Sequence, residues 1–225
     1  MTSYVLIPGA CHGGWWFDEL RERLRLAGHR SQAITPAGLE DTPRLDRLIT
    51  LDTHIDQAAA AVTGMSGGDT AAGQVVLIGH SYAGSVITGV ADRMPERVKA
   101  LVYLDAFLPG NGDSCWTMTN DEQRAWYIDG ARRTGYGVDP LPFFDQRARP
   151  HPVATLLQAI RLTGAWRAVP TKIYVAARRW PGESPMAAST ARAREDSQFE
   201  TREWDTRHNV MADGPDLVFD LIHSL

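Results

Sequence analysis

Short, mostly apolar runs recur along the chain, and segments with a helical repeat of apolar positions separate them. Tyr4-Val5-Leu6-Ile7, Val75-Val76-Leu77-Ile78, Val98 to Leu104 and Thr171 to Ala177 are runs of this kind. They have the length and β-branched content of strands buried on both faces. His29 to Ile34 and Phe199 to Trp204 read as two further strands. Between them, Phe17, Leu20, Leu24 and Ala27 fall on one helical face, and Gly28 is placed to end that helix. Ile55, Ala58, Ala59 and Val62 form a second such face, with Asp52 or Thr53 as its cap, and Val86, Val90 and Met94 a third that stops at Pro95. Met186 to Glu195 reads as another helix, and Leu217, Val218, Leu221 and Ile222 mark a last one after Pro215. Strand and helix in alternation predict an α/β protein with a mostly parallel, doubly wound sheet.

The alternation lapses between about Asn111 and Trp166. That stretch carries Trp116, Trp126, Tyr127, Tyr136, Phe143, Phe144 and Trp166, interrupted by Pro140, Pro142, Pro150 and Pro152. A segment this long without sheet periodicity, lying between two strands, predicts a cap inserted at 111–166 into a core made of 1–110 and 167–225. Most of its aromatics are expected to form a small satellite core, with Trp116 and Trp126 as candidates to line a ligand pocket. Of its arginines, Arg124, Arg132, Arg133, Arg147 and Arg149 are expected in solvent. Residues from Gly38 to about Leu51 and from Gly64 to Gly73 read as surface connections.

The most informative stretch is Gly79-His80-Ser81-Tyr82-Ala83-Gly84, which follows one buried strand and opens a helix. A serine on such a turn is held with its hydroxyl above the sheet edge, and small residues flank it because strand and helix crowd together. Serine needs a base to become a nucleophile. His208 lies in the loop after the last strand, where a base is supplied in this topology, whereas His12 sits in a glycine-rich loop and His80 on the turn itself. His29, His54, His151 and His223 read as surface or packing residues. For the acid, the loop after the strand at 171–177 offers no aspartate, only Glu183 several residues on, while Asp105 ends the strand that follows the elbow helix. Asp105 is the preferred acid, with Glu183 as the alternative. Pro8 to Gly14, rich in glycine and containing Cys11 and His12, would bring backbone N–H groups to a developing oxyanion, with Ala10 and Tyr82 as the donors. Cys11 and His12 are further candidates for the pocket.

Composition narrows the rest. At 225 residues the chain accommodates one α/β domain with an insertion. A net charge of -4 leaves no basic footprint for nucleic acid, and no apolar run is long enough to span a membrane. Two widely separated cysteines and the absence of a signal-like start lead to the expectation of a cytoplasmic protein with free thiols. No ligand-spaced cluster supports a metal, and no cofactor is expected. The expected partner is a small-molecule substrate, with a homodimer as an option.

These motifs resemble those of the α/β-hydrolase superfamily, and within it the small methyl-esterase and hydroxynitrile-lyase group. Leu6 to Trp15, Gly79 to Gly84, Leu104 to Pro109, Lys172 to Val175 and the His208 loop carry the resemblance. It implies an α/β-hydrolase fold and, because Gly9 and Asn209 stand where the cyanohydrin-cleaving relatives carry Thr and Lys, the esterase branch. The group's acid normally follows the strand at 171–177, where this chain has Trp180. The expectation is a serine hydrolase acting on a small ester, an aromatic one being an option. Its rivals are a lyase, cyclase or dehydratase using His208 as general base, and a ligand-binding receptor on a degenerate hydrolase.

Overall fold

The computed structural model describes residues 1–42, 48–65 and 73–225. Strand β1 (Ser3–Ile7) leads through the glycine-rich loop and a 3-10 turn into α1 (Asp18–Leu26), and β2 (Arg30–Ala33) follows. Gly28 ends α1 with a φ of 82°, its N–H donating to Arg25 O and that of His29 to Leu24 O, the paired bonds of a Schellman stop. Helix α2 (Leu51–Met65) precedes β3 (Val75–His80), α3 (Ala83–Arg93) and β4 (Val98–Leu104). α2 begins before the expected caps. The Thr53 hydroxyl reaches back to the Thr50 N–H at 3.1 Å, and Asp52 lies within the first turn, where it pairs with Arg93. The 64–73 connection lies largely outside the described residues, as does part of the earlier one.

The inserted segment holds α4 (Cys115–Met118), α5 (Asp121–Ala131), the two-stranded pair β5 (Gly137–Val138) and β6 (His151–Pro152), and α6 (Val153–Leu157). β7 (Thr171–Ala177), α7 (Ala187–Glu195), β8 (Glu200–Trp204), α8 (Val210–Asp213) and α9 (Pro215–His223) complete the chain. Six strands form one parallel sheet in the order β2-β1-β3-β4-β7-β8. Apolar clusters fill both of its faces. One gathers α2, α3 and the insertion, the other α1 and α9. Val76, Leu77, Ile78, Leu101 and Val102 are fully buried, each such side chain contributing about 1.5–3 kcal/mol relative to exposure. That burial on both faces is why these strands read as continuous apolar runs.

A separate satellite core does not form. Met118, Tyr127, Val138, Leu156 and Trp166 belong to the same apolar cluster as the α2 and α3 face of the sheet. The chain leaves the insertion through a fixed point, because the buried Asp92 carboxylate accepts the N–H groups of Thr163, Gly164 and Trp166 at 2.7, 2.9 and 3.2 Å. Several of the insertion's arginines pair at the surface, among them Arg133 with Asp139 and Arg147 with Asp145. Among the described residues no helix is long and apolar enough to cross a membrane.

Candidate active site

The carboxyl ends of β3 and β4 lie side by side, with His80 opposite Leu104, so the residues that follow them emerge together. Those residues are Ser81 and Asp105, and both have left-handed backbone, with φ of 54° and 43°. Such values cost a non-glycine residue about 1 kcal/mol or more and persist only where surroundings enforce them. Here they do. The Ser81 N–H donates to Leu104 O, its carbonyl accepts from the N–H groups of Gly84 and Phe107, and the Asp105 N–H donates to Val175 O at 2.7 Å. A Cβ on Gly79 would come within 2.8 Å of Ala83 O and one on Gly84 within 1.9 Å of Phe107 O, which explains the small residues around the serine.

His208, in the loop between β8 and α8, donates its Nδ1–H to Asp105 Oδ2 at 2.7 Å. The carboxylate is almost wholly buried and accepts two more donors, the Ala177 N–H on Oδ1 at 3.1 Å and the Trp180 indole N–H on Oδ2 at 3.0 Å. His80 adds a second tether, its Nε2–H donating to the His208 carbonyl at 2.9 Å while its ring stacks on Trp16 at 4.4 Å. Burial first, and then the neighbouring His208, hold His80 well below the ordinary imidazole range, so it is neutral. Its Nδ1, with no partner among the described residues, faces Gly9, where a Cβ would stand 2.8 Å away.

The glycine-rich loop turns at Cys11, which has a φ of 67°. The Cys11 N–H donates to His151 Nδ1 at 3.2 Å, leaving the His151 Nε2–H for the Thr155 hydroxyl at 2.9 Å. His12 folds its Nδ1–H onto the Ala10 carbonyl at 2.7 Å and packs against Trp15 and Phe144, and burial lowers its pKa. Tyr82 is buried, and its hydroxyl donates to His54 Nδ1 at 2.8 Å.

The structure therefore brings Asp105, His208 and the turn carrying Ser81 to one sheet edge, beside the loop containing Ala10. Glu183 is not part of that group. It is exposed, and its carbonyl accepts from Asn120 Nδ2 at 2.9 Å. Cys11 turns its buried thiol toward the Val138 carbonyl, and burial pushes that thiol up to about 12. Trp116 and Trp126 are half-buried on the insertion, Trp126 donating to Asp139 O and Trp116 lying under Arg124. Sequence reasoning missed three partners: Trp180 on Asp105, His80 on the His208 carbonyl and His151 on the Cys11 amide. His80, next to Ser81, and Trp180, where the resemblance places the acid, had a positional signal, and His151 had none. Among the described residues no group of three or more His, Cys, Asp or Glu side chains could hold a metal ion.

A parallel sheet with an elbow after β3, a histidine loop after β8 and an insertion after β4 is the architecture of the α/β hydrolases. The chain belongs to that family: the description "Alpha/beta hydrolase family" fits residues 4–221. More particularly, it is 30% identical to a carbendazim hydrolyzing esterase of a Nocardioides strain, over the full length of both chains. It is also 26% identical to methyl jasmonate esterase 1 of Vitis vinifera, over 68% of this chain and 55% of that protein. Salicylic acid-binding protein 2 of Nicotiana tabacum is 32% identical over 47% of this chain and 40% of its own. The chain thus spans about half or less of these plant relatives. Among solved structures, an extracellular α/β-hydrolase from a Paenibacillus species superposes with a TM-score of 0.81 at 20% identity, covering 100% of this chain and 98% of that one. The relatives place ester hydrolysis on this fold, and the chain is an enzyme of the esterase class.

Proposed function

We propose that the chain hydrolyses a small carboxylic or carbamic ester through a Ser81-His208-Asp105 triad and an acyl-enzyme. The observation that carries this reading is the 2.7 Å bond from His208 Nδ1 to the buried Asp105 carboxylate, at the same sheet edge as the strained turn of Ser81. With its Nδ1 proton held there, His208 presents Nε2 as the base. Ser81 Oγ attacks the carbonyl carbon and passes its proton to His208, and the carbonyl π pair moves to the oxygen. Collapse returns that pair, breaks the bond to the alkoxy group and sends the proton to the departing alcohol. Water then repeats the sequence against the acyl-enzyme and frees the acid and Ser81. The N–H groups of Ala10 and Tyr82 receive the oxyanion. Support for them is that neither amide donates to a backbone acceptor among the described residues, whereas the neighbouring Cys11 amide is committed to His151.

Aromatic side chains around His12 (Trp15, Trp16 and Phe144) and the full-length similarity to a carbendazim hydrolyzing esterase favour a flat aromatic group on the substrate. Turnover of p-nitrophenyl acetate and of methyl aryl carbamates, with Ser81→Ala as control, tests the reading. A fluorophosphonate adduct on Ser81, seen by mass spectrometry and absent in the variant, is expected. Unchanged turnover in Ser81→Ala would falsify the mechanism.

A further inference from the structure

Trp180 stands in the loop after β7, the place from which the resemblance leads one to expect the triad acid. Its indole makes two contacts there. Nε1–H donates to Asp105 Oδ2 at 3.0 Å, the same oxygen that accepts from His208, and the ring lies 4.7 Å from the His208 imidazole at a 43° tilt. The loop is itself held firmly. The N–H groups of Arg178 and Arg179 donate to Trp204 O and Thr206 O at 3.0 and 2.9 Å, and the Arg179 guanidinium pairs with Asp205. A carboxylate with one donor on each oxygen can still rock about its terminal bond. Two donors converging on Oδ2 and a third on Oδ1 fix its plane.

We infer that Trp180 is a positioning residue that fixes the plane of the Asp105 carboxylate against His208 and divides the charge of Oδ2 between two donors. Its indole stands where the resemblance places an acid, and it acts through Asp105. The charge division has a defined sign. A hydrogen bond to the charged form of a carboxylate draws charge away from its other partner, so removing the indole N–H leaves more of the Oδ2 charge for the imidazolium. The bond from His208 Nδ1–H to Oδ2 then strengthens. The other groups facing His208 are constant in the comparison. They are Asp105 from β4, His80 from β3, His12 from the glycine-rich loop, and the Arg207–Asp213 pair beside it.

This inference rests on the triad proposed above, and the test separates the two. In Trp180→Phe the ring is kept and the donor lost. Trp180→Gln keeps an N–H donor at the same number of bonds from Cα and loses the ring. The His208 Nδ1–H resonance, identified by its absence in His208→Asn, is observed by low-field proton NMR without substrate. Turnover of p-nitrophenyl acetate is measured alongside, with melting temperatures as the check on folding. Trp180→Phe should move that resonance downfield and lower kcat roughly tenfold with KM unchanged, and Trp180→Gln should bring both back toward wild type. A resonance in Trp180→Phe that stays or moves upfield, or equal shifts in both variants, overturns the role. If Trp180→Phe does not fold, Trp180→Leu takes its place as the variant without a donor, and the same comparison with Trp180→Gln decides. A wild-type chain without turnover removes the mechanism instead and leaves the NMR comparison intact.

Discussion

Asp105→Asn tests the assignment of the acid with little disturbance of the backbone, because asparagine tolerates the left-handed conformation that residue 105 adopts. An amide has one acceptor oxygen where the carboxylate has two. With its oxygen toward His208 and Trp180, its NH2 meets the Ala177 N–H donor across what was a 3.1 Å bond, leaving a buried donor unpaired at about 1–3 kcal/mol. With the amide reversed, the NH2 faces His208 Nδ1, and the imidazole must carry its proton on Nε2. That tautomer cannot accept a proton from serine. In either orientation the imidazolium formed during attack loses a charge partner worth about 4 kcal/mol at an effective dielectric near 20. The unpaired donor weakens the fold in ground and transition state alike, so only the charge loss enters the barrier: about 4 kcal/mol, or about three decades in rate. The assay is kcat/KM for p-nitrophenyl acetate across pH 5–9, with Glu183→Gln in parallel. The latter is expected to stay within about twofold of wild type, since an exposed side chain away from the site has little to lose. A loss below tenfold in Asp105→Asn, or a larger loss in Glu183→Gln, would refute the reasoning.

Three further outcomes follow from the same geometry. His54 is buried, with its pKa lowered by desolvation to about 4. On acidification the unfolded chain therefore takes up a proton near pH 6.5 that the folded chain refuses. Stability should fall by about 3 kcal/mol between pH 6.5 and 4 from this residue, with His80 and His151 adding in the same direction. His54→Gln should flatten that slope in thermal melts, and an unchanged slope would exclude the assignment. Gly84→Ala should destabilise by about 3 kcal/mol or more, because its Cβ would stand 1.9 Å from Phe107 O, whereas Gly28→Ala, strained but in open space, should cost only about 1 kcal/mol by denaturant titration. Equal costs would show that the elbow relaxes around the added methyl. Both thiols are buried, with pKa values raised to about 12, so Ellman's reagent at pH 8 should label neither until guanidinium unfolds the chain; labelling of the folded protein would contradict that burial.

The sheet was the most legible part of this chain because its strands carry their own signal. β4 and β7 have the bounds expected from their apolar runs, and both strands are buried almost throughout. Helix α5 offered no comparable pattern, as only Tyr127 on it is fully buried, and α8 is too short for a period to show. In the site, the positions of Ser81, His208 and Asp105 follow from local motifs and from which strand each residue ends. The bonds to the Asp105 carboxylate cross 103 residues to His208 and 75 to Trp180, and no local pattern encodes a contact of that reach. Trp180 illustrates the limit. Read in line, it stands where the resemblance places an acid; read in space, it is a donor to Asp105.

On the mechanism proposed above, the unusual torsions at Ser81 and Asp105 set working chemistry against durability. At each position the one residue type free of that penalty would silence the enzyme, so a Ser81→Gly chain should be inert yet withstand heat better by up to about 1 kcal/mol. Such a chain would suit trapping an intact substrate for crystallography. Selection for robustness alone would erase this activity first.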